Sequence, residues 1–492
     1  MYKILIRPLT IEDSQISYVW RNDKDIWKYT GSRPDIHITP EIEKQWVKKI
    51  LQERNSQRFA ILCDNIYIGN VQLTDIDNDN AQIHIFIGNE NYHGKGISSR
   101  AIYQLLYYAK HNLKLKEIYL YVHPENIAAI KTYKKNGFIE NGVKDGFIKM
   151  SLLLKNLKQP IVSVFVMVYN HEWYIRDCID GILIQKTNFD VEIVVGEDCS
   201  TDNSRKILLE YQAIYPAKFK LLLHEQNIGA SENQKDIFMN CTGKYIAMCE
   251  GDDCWTDSTK LQKQVDFLEA HEDVSMCFHN ATIIDLKGNI IGDHRRYNKD
   301  QYAPIKDIIL GGGGFCATSS IVFRTQYIKS GYPDFCLKCH VGDYPLQLYL
   351  SFKGKIYYLN NTMSVYRYGI TNSWSQTFQK NVFSLKMDKW ISEFELLDGI
   401  NSLFGFKYSS VIAKRQGRFF IKAILLPNKN MKSEIKKVFE LYISKFHLEE
   451  KIEIFLIYYA FFLYHFITKI FFYIRLSYKL PYNLWHYLFI KK

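Results

Sequence analysis

The feature that most constrains the fold is a nearly continuous run of apolar, mostly β-branched residues from Ile161 to Tyr169. Such a run is typical of a strand that is buried on both faces of a parallel sheet. A helical pattern follows from Trp173 to Gln185, then a second buried strand from Val191 to Val195 and a helix from Arg205 to Tyr215. This alternation predicts a doubly wound α/β fold, which binds ligands beyond the carboxyl ends of its strands.

An acidic segment, Cys249 to Trp255, directly follows a third apolar strand pattern at Lys244 to Met248. Its adjacent carboxylates, Asp252 and Asp253, repel each other unless one is protonated or a divalent cation lies between them. A cation held there suits the diphosphate of a nucleotide-sugar. An acidic surface turn is the alternative, and the position of Tyr169, Asp198 and Asp252 at successive strand ends favours the ligand site.

Further motifs accompany these strands in a fixed order between Gln159 and Lys380. They are Val168-Tyr169-Asn170, Gly196 to Asp202, Asn227 to Asn233, Glu250 to Trp255, Lys260 to Leu268, Gly311 to Phe315, His340 to Asp343, and Tyr366-Arg367. Together they resemble the family-2 glycosyltransferases of GT-A fold, a Rossmann-like α/β architecture.

The resemblance implies roles for five residues. Tyr169 would stack on the base of the nucleotide-sugar donor, Asp198 would hydrogen-bond the ring of that base, and Asp252 would lie by the ribose. Asp253 would ligate a divalent metal, Mn²⁺ or Mg²⁺, on the diphosphate. Asp343 would be the general base.

The chemistry of glycosyl transfer independently suits a carboxylate at Asp343, which precedes a helical pattern from Pro345 to Ser351. An acceptor hydroxyl becomes a good nucleophile when a carboxylate within hydrogen-bond reach takes its proton. One base opposite a departing diphosphate implies in-line displacement and inversion at the sugar carbon. The alternative role for Asp343 is an N-cap of the following helix. Many relatives carry a metal-ligating His where this sequence has Gly369, so the metal's ligand shell departs from the family pattern.

The first 155 residues carry a second set of motifs. A glycine-containing turn, Asn91 to Ser98, joins a strand pattern at Gln82 to Ile87 to a strongly helical stretch at Ser98 to His111. Successive N–H groups in such a turn at a helix N-terminus bind anions, here a pyrophosphate. A further strand, Glu117 to His123, and the segment Pro124 to Phe138 come next.

This combination resembles the GNAT superfamily of acetyl-coenzyme A-dependent N-acetyltransferases over residues 1–155. By resemblance, Asn126 would contact the coenzyme and Tyr133 would protonate its leaving thiolate. The backbone amides of five consecutive residues would cradle its pyrophosphate. These are His93, Gly94, Lys95, Gly96 and Ile97.

The general base of the acetyltransferase stays open. Asn91 replaces the usual Gln or Arg, and Gln82 stands where many relatives have a Glu that serves as base. His84 and Glu125 are the candidates, although a His on a strand is more often a packed or surface residue. For Tyr133 the alternative is a core aromatic residue of an amphipathic helix.

Length and cysteine usage agree with a multidomain chain. A length of 492 residues predicts about three domains, which we place at 1–155, 159–380 and 381–492. The N-terminus enters a strand pattern directly, which indicates no secretory signal, and ten scattered cysteines suggest reduced, cytosolic thiols. Cys336, Cys339 and His340 match the spacing of a c-type haem attachment or a partial zinc site, and chance is the better explanation.

Residues 381–492 differ in character from the rest of the chain. They hold 18 Lys and Arg against 9 Asp and Glu, which accounts for +9 of the net charge of +11. Residues 454–468 contain no charged side chain and are strongly aromatic. A spanning helix needs roughly 20 apolar residues, so we expect helices that lie in the interface of an anionic membrane. A helix packed on the protein is the alternative, and nucleic-acid binding is disfavoured.

Together these features predict a bifunctional enzyme on the cytoplasmic face of a bacterial cell membrane. Its partners would be acetyl-CoA, a nucleotide-sugar donor and a glycan or lipid-linked acceptor in surface polysaccharide or glycolipid synthesis. The acetylated amine would lie on a sugar that the second domain handles. The alternatives are acetylation of a protein N-terminus and a non-catalytic acetyl-CoA-binding module.

Overall fold

The structure is a computed structural model that describes residues 2–30, 36–370 and 383–424. Two separate sheets with helices around them confirm the mixed α/β class, one sheet for each of the two sets of motifs. The described residues up to 303 and from 313 to 370 form one compact unit. Residues 304–312 with 383–424 belong to a second unit. The domain boundaries drawn from the sequence stay predictions.

The first sheet is built from strands β1 to β7. They are β1 Ile4–Pro8, β2 Gln57–Cys63, β3 Ile66–Thr74, β4 Asn80–Ile87, β5 Glu117–Val122, β6 Ile139–Lys144 and β7 Phe147–Leu153. Their order is β1-β2-β3-β4-β5-β7-β6, and only β4 and β5 run parallel. These two strands pair only from Asn80 to Gln82, so their carboxyl-terminal halves are unpaired with each other. This separation opens a gap in the sheet beside the glycine turn.

Five α-helices flank this sheet in the part of the region that the structure describes. They are α1 Ser14–Arg21, α2 Lys24–Trp27, α3 Pro40–Ile50, α4 Ile97–His111 and α5 Ile127–Lys135. The α4 helix follows the glycine turn and buries an apolar face that includes Ala101, Leu105 and Leu106 against the sheet. The predicted helix at Ser98 to His111 and strand at Gln82 to Ile87 therefore match the structure within two residues.

The second sheet has ten strands, β8 to β17. They are β8 Val162–Val168, β9 Val191–Glu197, β10 Phe219–Leu223, β11 Tyr245–Glu250, β12 Cys254–Trp255, β13 Val274–Ile284, β14 Ile290–Asp293, β15 Gln301–Tyr302, β16 Val322–Arg324 and β17 Lys355–Arg367. The order is β10-β9-β8-β11-β16-β13-β17-β12, with β14 on β13 and β15 on β17. The first four strands are parallel, and β8 is buried along nearly its whole length. The apolar run at 161–169 therefore forms the buried strand of a parallel sheet that it predicted.

Helices connect and cover these strands. They are α6 Ile175–Leu183, α7 Ser204–Ile214, α8 Ala230–Asn240, α9 Lys260–Ala270, α10 Ile305–Gly311, α11 Gln326–Lys329, α12 Asp334–Leu337 and α13 Asp343–Lys353. The helices predicted at 173–185 and 205–215 are α6 and α7. The α6 helix is two residues shorter than predicted at each end, and α7 is shifted by one residue towards the N-terminus.

The second unit consists of α10 and two longer helices, α14 Phe383–Leu403 and α15 Ser409–Ile424. Within it Arg415 donates to the Leu310 carbonyl at 3.3 Å and pairs with Glu393 at 2.8 Å. Across the described ranges, no helix combines the length and the apolar character that a membrane crossing requires. The aromatic stretch at 454–468 lies outside the described residues.

Polar contacts join the two sheets within the first unit. The Tyr107 hydroxyl on α4 donates to Glu192 on β9 at 2.6 Å, and both side chains are buried. Glu192 also accepts from the Thr242 N–H at 2.7 Å and from the Ser163 hydroxyl. Arg100 on α4 donates to the Thr187 carbonyl at 2.8 Å. The two sheets therefore share a buried, hydrogen-bonded interface.

Candidate functional site

The parallel strands β9, β8 and β11 are neighbours, so their carboxyl ends meet at one edge of the second sheet. Tyr169 follows β8, Asp198 follows β9, and Asp252 and Asp253 follow β11. Four of the residues singled out from the sequence are thus brought to the same edge. Tyr169 is 44% exposed, so its ring is open to a ligand, whereas Asp198 and Asp253 are buried.

Side-chain hydrogen bonds hold the loops after β8 and β9 together. The Asn170 N–H donates to the Ser200 hydroxyl at 3.0 Å, and the Thr201 N–H donates to the Asn170 side-chain oxygen at 2.8 Å. The Glu172 N–H donates to Asp202 at 2.9 Å. Asn170 takes a left-handed backbone conformation, φ 58°, which turns the chain sharply after the strand. These bonds fix the backbone that carries Tyr169.

The Asp198 carboxylate organises a third loop. Its two oxygens accept from the N–H groups of Ile228, at 2.7 Å, and Gly229, at 3.0 Å. The Asn227 side chain donates to the Asp198 carbonyl at 3.2 Å. Each of its two oxygens thus has a backbone N–H donor. Asp198 is therefore the residue that anchors the loop leading into α8.

Asp253 is a buried carboxyl group with one oxygen that lacks a hydrogen-bond partner among the residues described. It is 1% exposed, and its Oδ2 atom has no hydrogen-bond partner in the structure. Burial, and then the neighbouring Asp252, raise the pKa of Asp253 well above its usual range. A buried carboxylate oxygen without a donor costs free energy that a cation would recover. This orphaned oxygen beside a second carboxylate fits a divalent metal.

The metal's other ligands are not preassembled by the protein. Among the residues that the structure describes, no three His, Cys, Asp or Glu side chains are grouped to hold a metal ion. Mg²⁺ is commonly held by one or two carboxylates together with substrate phosphates and water. Asp253 with Asp252 therefore suits a metal completed by the diphosphate of a ligand. None of the ten cysteines, Cys336 and Cys339 included, forms a disulfide bond.

Arg367 is a functional candidate that the sequence reasoning left without a role. It donates to the Asp252 carbonyl at 2.9 Å and pairs with Asp177 on α6. Its guanidinium lies over the Tyr174 ring, 5.2 Å from the ring centroid. The Tyr366-Arg367 motif was the available signal. Arg367 thereby ties the acidic segment to the α6 helix and the end of β17.

Asp343 begins α13 on the other side of the acidic segment. The N-cap of α13 is Gly342, and Asp343 Oδ1 accepts from the Tyr344 N–H at 2.8 Å, so the alternative role of N-cap is wrong. The Asp343 carboxylate also lies against Gly313, where a Cβ would meet its Oδ1 at 3.4 Å. A Cβ at that distance would make an ordinary van der Waals contact, so the carboxylate lies beside Gly313 without depending on the missing side chain.

A cavity of about 50 Å³ lies beside Asp343. Glu250, at the end of β11, lines it too, and burial followed by the charges of Asp252, Asp253 and Asp343 raises the pKa of Glu250 well above its usual range. The sequence reasoning gave Glu250 no role although it lies within the acidic segment. Glu250 therefore interacts electrostatically both with the pair Asp252 and Asp253 and with Asp343.

The turn before α4 fits an anion in the first sheet. Gly94 and Gly96 take left-handed backbone conformations, φ 70° and 73°, and no side chain caps the α4 N-terminus. Added Cβ atoms at either glycine would meet nothing within 4 Å, so the outer side of the turn is open. The His93 ring instead contacts the Ile87 carbonyl at 2.8 Å. The uncapped amides at Ile97 and beyond fit a pyrophosphate.

Tyr133 and Asn126 lie on α5, which follows β5 at the gap. Asn126 is the N-cap of α5 and accepts from the Ala129 N–H at 3.2 Å. Tyr133 is 8% exposed, its ring packs on Phe138 with centroids 5.7 Å apart, and burial raises the pKa of its hydroxyl to about 12. Tyr133 is therefore protonated at neutral pH and is both a core residue and a potential proton donor.

The two candidate bases differ in their surroundings. His84 on β4 exchanges a hydrogen bond with the Thr74 hydroxyl at 2.9 Å, and burial lowers the pKa of the imidazole. A neutral imidazole is the form that accepts a proton. Glu125 is exposed in the turn before α5.

Comparison with known proteins identifies the two regions. The glycosyl transferase family 2 matches residues 163–331, and the GNAT acetyltransferase domain matches residues 3–139. An uncharacterized protein of Mycobacterium tuberculosis is 34% identical over 44% of this chain and 61% of its own length. This chain thus spans about three fifths of the first relatives it matches.

Further relatives carry more specific names. An uncharacterized glycosyltransferase of Nostoc is 30% identical over 44% of this chain and 67% of its own length. The putative teichuronic acid biosynthesis glycosyltransferase TuaG of Bacillus subtilis is 34% identical over 22% of this chain and 42% of its own length. A solved spermidine N-acetyltransferase of Vibrio cholerae is 25% identical and covers 31% of this chain and 96% of its own, with a TM-score of 0.29.

Proposed function

This chain belongs to the family-2 glycosyltransferases and carries a GNAT acetyltransferase domain, and on that premise we propose a bifunctional enzyme of glycan synthesis. Its first domain N-acetylates an amino sugar with acetyl-CoA. Its second domain transfers a hexosyl unit from a nucleotide-sugar to a glycan or lipid-linked acceptor, with inversion. The name of the Bacillus relative supports surface polysaccharide as the product class.

The observation that carries the glycosyl transfer is a set of three carboxyl groups. Glu250 and Asp343 line one cavity, and Asp253 is buried with an oxygen that has no hydrogen-bond partner in the described structure. We infer that Asp343 takes the proton of the acceptor hydroxyl while its oxygen attacks the anomeric carbon. The bond from that carbon to the diphosphate oxygen breaks as the new bond forms. Attack and departure on opposite faces invert the configuration.

The donor would be held by the edge of the second sheet. Tyr169 supplies an exposed aromatic face for the base. Asp198 would either hydrogen-bond the base ring or hold in place the loop that contacts this ring. Asp252 would lie near the ribose. Asp253 would hold Mn²⁺ or Mg²⁺, which when bound neutralises charge on the departing diphosphate.

For acetyl transfer, the uncapped amides of α4 and the Gly94 to Gly96 turn would bind the coenzyme pyrophosphate, with Asn126 at the neighbouring helix. The amine of the sugar attacks the thioester carbonyl, and the carbon–sulfur bond breaks. Tyr133 then gives its proton to the thiolate, since its hydroxyl is protonated at neutral pH. His84 or Glu125 would take the proton of the amine.

A membrane-facing location on the cytoplasmic side completes the proposal. It rests on the basic and aromatic composition of residues 381–492 alone. A lipid-linked acceptor would be presented at that surface.

The test is a substrate panel on the full chain. UDP-, GDP- and dTDP-sugars are assayed for metal-dependent nucleotide release, and nucleotide amino sugars, peptides and spermidine are assayed with acetyl-CoA for thiol release. We expect turnover of nucleotide-sugars and acetylation of amino sugars. Acetylation of peptides alone would favour a protein N-acetyltransferase, and acetyl-CoA binding without any turnover would favour a binding module.

A further inference from the structure

Another cavity, of about 30 Å³, lies between the acetyltransferase and transferase domains within the first unit. Its lining comes from both sides. Lys3 and Arg100 belong to the acetyltransferase domain, and Lys218 directly precedes β10 of the transferase domain. One water molecule requires roughly 10–15 Å³ of such space. Three basic side chains therefore line a space with room for more than a single water molecule.

The Arg100 guanidinium joins the two domains with only part of its donors. Its Nη1 atom donates to the carbonyl groups of Tyr2 and Thr187, both at 2.8 Å. Its Nε atom is buried and has no hydrogen-bond partner in the described part of the chain. The Nε and Nη2 atoms together form the edge with which a guanidinium binds two oxygens of an oxyanion. That edge of Arg100 is therefore available to a ligand.

The Lys218 ammonium group has few partners for a buried cation. The side chain is 6% exposed, and its one hydrogen bond within the described ranges goes to the Val191 carbonyl at 3.4 Å. An ammonium group has three donors, and its burial is costly unless they are satisfied or an anion is near. Burial lowers the pKa of Lys218 to about 8, with Arg100 acting in the same direction and Asp190 opposing it. Lys218 is therefore mostly protonated at neutral pH and short of acceptors.

The nearby carboxylates leave an excess of positive charge. Asp190 acts on both Arg100 and Lys218, and burial raises the pKa of its carboxyl to about 6 despite these cations. Around Lys3 the charges are better balanced, by two acidic groups and one further basic group, which are Asp64, Asp180 and Lys186. The uncompensated positive charge therefore lies at Arg100 and Lys218, one residue from each domain.

The type of these donors indicates which anion suits the cavity. A guanidinium edge matches two oxygens of a phosphate, and an ammonium group binds phosphate as a point charge. We propose that the cavity binds inorganic phosphate, with Arg100 and Lys218 as its main contacts and Lys3 beside them. One anion would then bridge the two domains. The lining shares no residue with the proposed donor and coenzyme sites, so this inference does not rest on the proposed function.

The experiment measures phosphate binding to the full chain at neutral pH by two methods. Thermal unfolding is followed while chloride is replaced by inorganic phosphate at constant ionic strength, and phosphorus-31 line broadening reports binding directly. We expect the Tm to rise by about 2 °C or more and then to level off, because a ligand that binds only the folded state stabilises it. Phenyl phosphate should bind more weakly, since its ring would also need room beside the buried Lys218.

Two substitutions address the cavity directly. Lys218→Met removes the ammonium group and keeps an unbranched side chain, whereas Arg100→Lys keeps a positive charge and removes the guanidinium edge. Each should weaken phosphate binding by about tenfold or more and remove most of the Tm shift. Without phosphate, Lys218→Met should melt at the same temperature as the wild-type chain or higher, because a buried charge with few partners is gone. Lys206→Met, at an exposed position of α7, is the matched control and should behave as the wild type.

Three results would overturn the proposal. A Tm shift of equal size in all four proteins would show only the general stabilising effect of phosphate salts. A shift that survives in both cavity variants and disappears with excess acetyl-CoA would place the anion at the glycine turn before α4 instead. Tighter binding of phenyl phosphate than of inorganic phosphate would rule out free phosphate as the ligand. Turnover of nucleotide-sugars and of acetyl-CoA is measured separately, so its failure would leave the phosphate site standing.

Discussion

At the scale of single residues, Asp253 combines deep burial with an oxygen that has no donor. Asp253→Asn keeps the shape and removes the charge, so we expect donor turnover to fall on the order of 10²-fold or more while thermal stability is retained or rises. Nucleotide release with and without chelator measures the first effect, and calorimetry the second.

The control for that substitution is Asp293→Asn, an exposed carboxylate in β14 that should leave turnover unchanged. Full activity of the wild-type chain in chelator, with normal melting, would contradict the metal assignment.

Tyr133 offers a second test at this scale. Its buried hydroxyl has a pKa raised to about 12, so it stays protonated over the working range of the enzyme. Tyr133→Phe should slow acetyl transfer by about 10²-fold, as expected for loss of a general acid. Glycosyl transfer from an already acetylated donor should be unchanged. Thiol release and nucleotide release are measured on the same preparation.

Tyr119→Phe, on the neighbouring strand β5, is the matched tyrosine control. Because phenylalanine keeps the ring, a Tyr133→Phe protein that loses both activities in parallel would indicate that the two domains are coupled, and would contradict the independence of the two sites.

At the scale of elements, the α4 helix connects the glycine turn with the region where the two sheets pack together. It begins at the glycine turn and ends at His111, whose ring lies 4.2 Å from that of Tyr107. Burial lowers the pKa of His111 to about 4, and Lys220 on β10, Lys110 and Lys114 act in the same direction against an opposing effect of Glu192. The lysine on β10 belongs to the second sheet, so the packing of the two sheets contributes to this lowering of the pKa.

The sign of the resulting pH dependence follows from the lowered pKa. Neutral His111 is favoured in the folded protein, so its contribution to stability is present above about pH 6.5 and is lost as the pH falls towards 4. His111→Gln should therefore melt with a smaller drop in Tm across this range than the wild-type chain. Thermal unfolding at a series of pH values measures it, with His37→Gln, at an exposed position, as control. Parallel curves for all three proteins would refute the assignment.

Most of the elements could be predicted because their signals are local. The apolar run of β8, the glycine turn before α4 and the helical pattern of α5 each lie within one segment, and each element is found within two residues of its expected place. The strand-end position of Tyr169, Asp198 and Asp252 followed from the same alternation.

The remaining features depend on contacts between segments far apart in the chain. Arg367 meets Asp177 across 190 positions, and Tyr107 meets Glu192 across 85. The cavity beside Asp343 needs β8, β11, α8 and the start of α13 together. No local pattern encodes such pairings, so the sequence reasoning treated the two domains as independent and left the cavity unseen.

At the scale of the whole molecule, the charge is uneven, with +9 of the net +11 in residues 381–492. Deleting residues 450–492 should release the protein from anionic vesicles and depress transfer to a lipid-linked acceptor more than to a short soluble analogue. Each Lys or Arg near such a surface contributes about 1 kcal/mol, and the aromatic residues add an attraction that salt does not screen. Vesicle flotation at low and high salt measures the binding.

An intact protein that never floats with the vesicles would contradict this prediction. So would a truncated protein that still floats, because the 454–468 stretch would then act as a packed helix.

The buried hydrogen bond between Tyr107 and Glu192 has a consequence for the recombination of domains between such chains. Glu192 lies in β9 of the transferase sheet, and one of its hydrogen-bond donors comes from the acetyltransferase domain. Recombination that replaced residues 1–155 with an unrelated domain would leave this carboxylate short of a donor and newly exposed to whatever packed there. An incoming helix that offered a tyrosine, or another donor, at the matching place would keep the Glu192 carboxylate fully hydrogen-bonded.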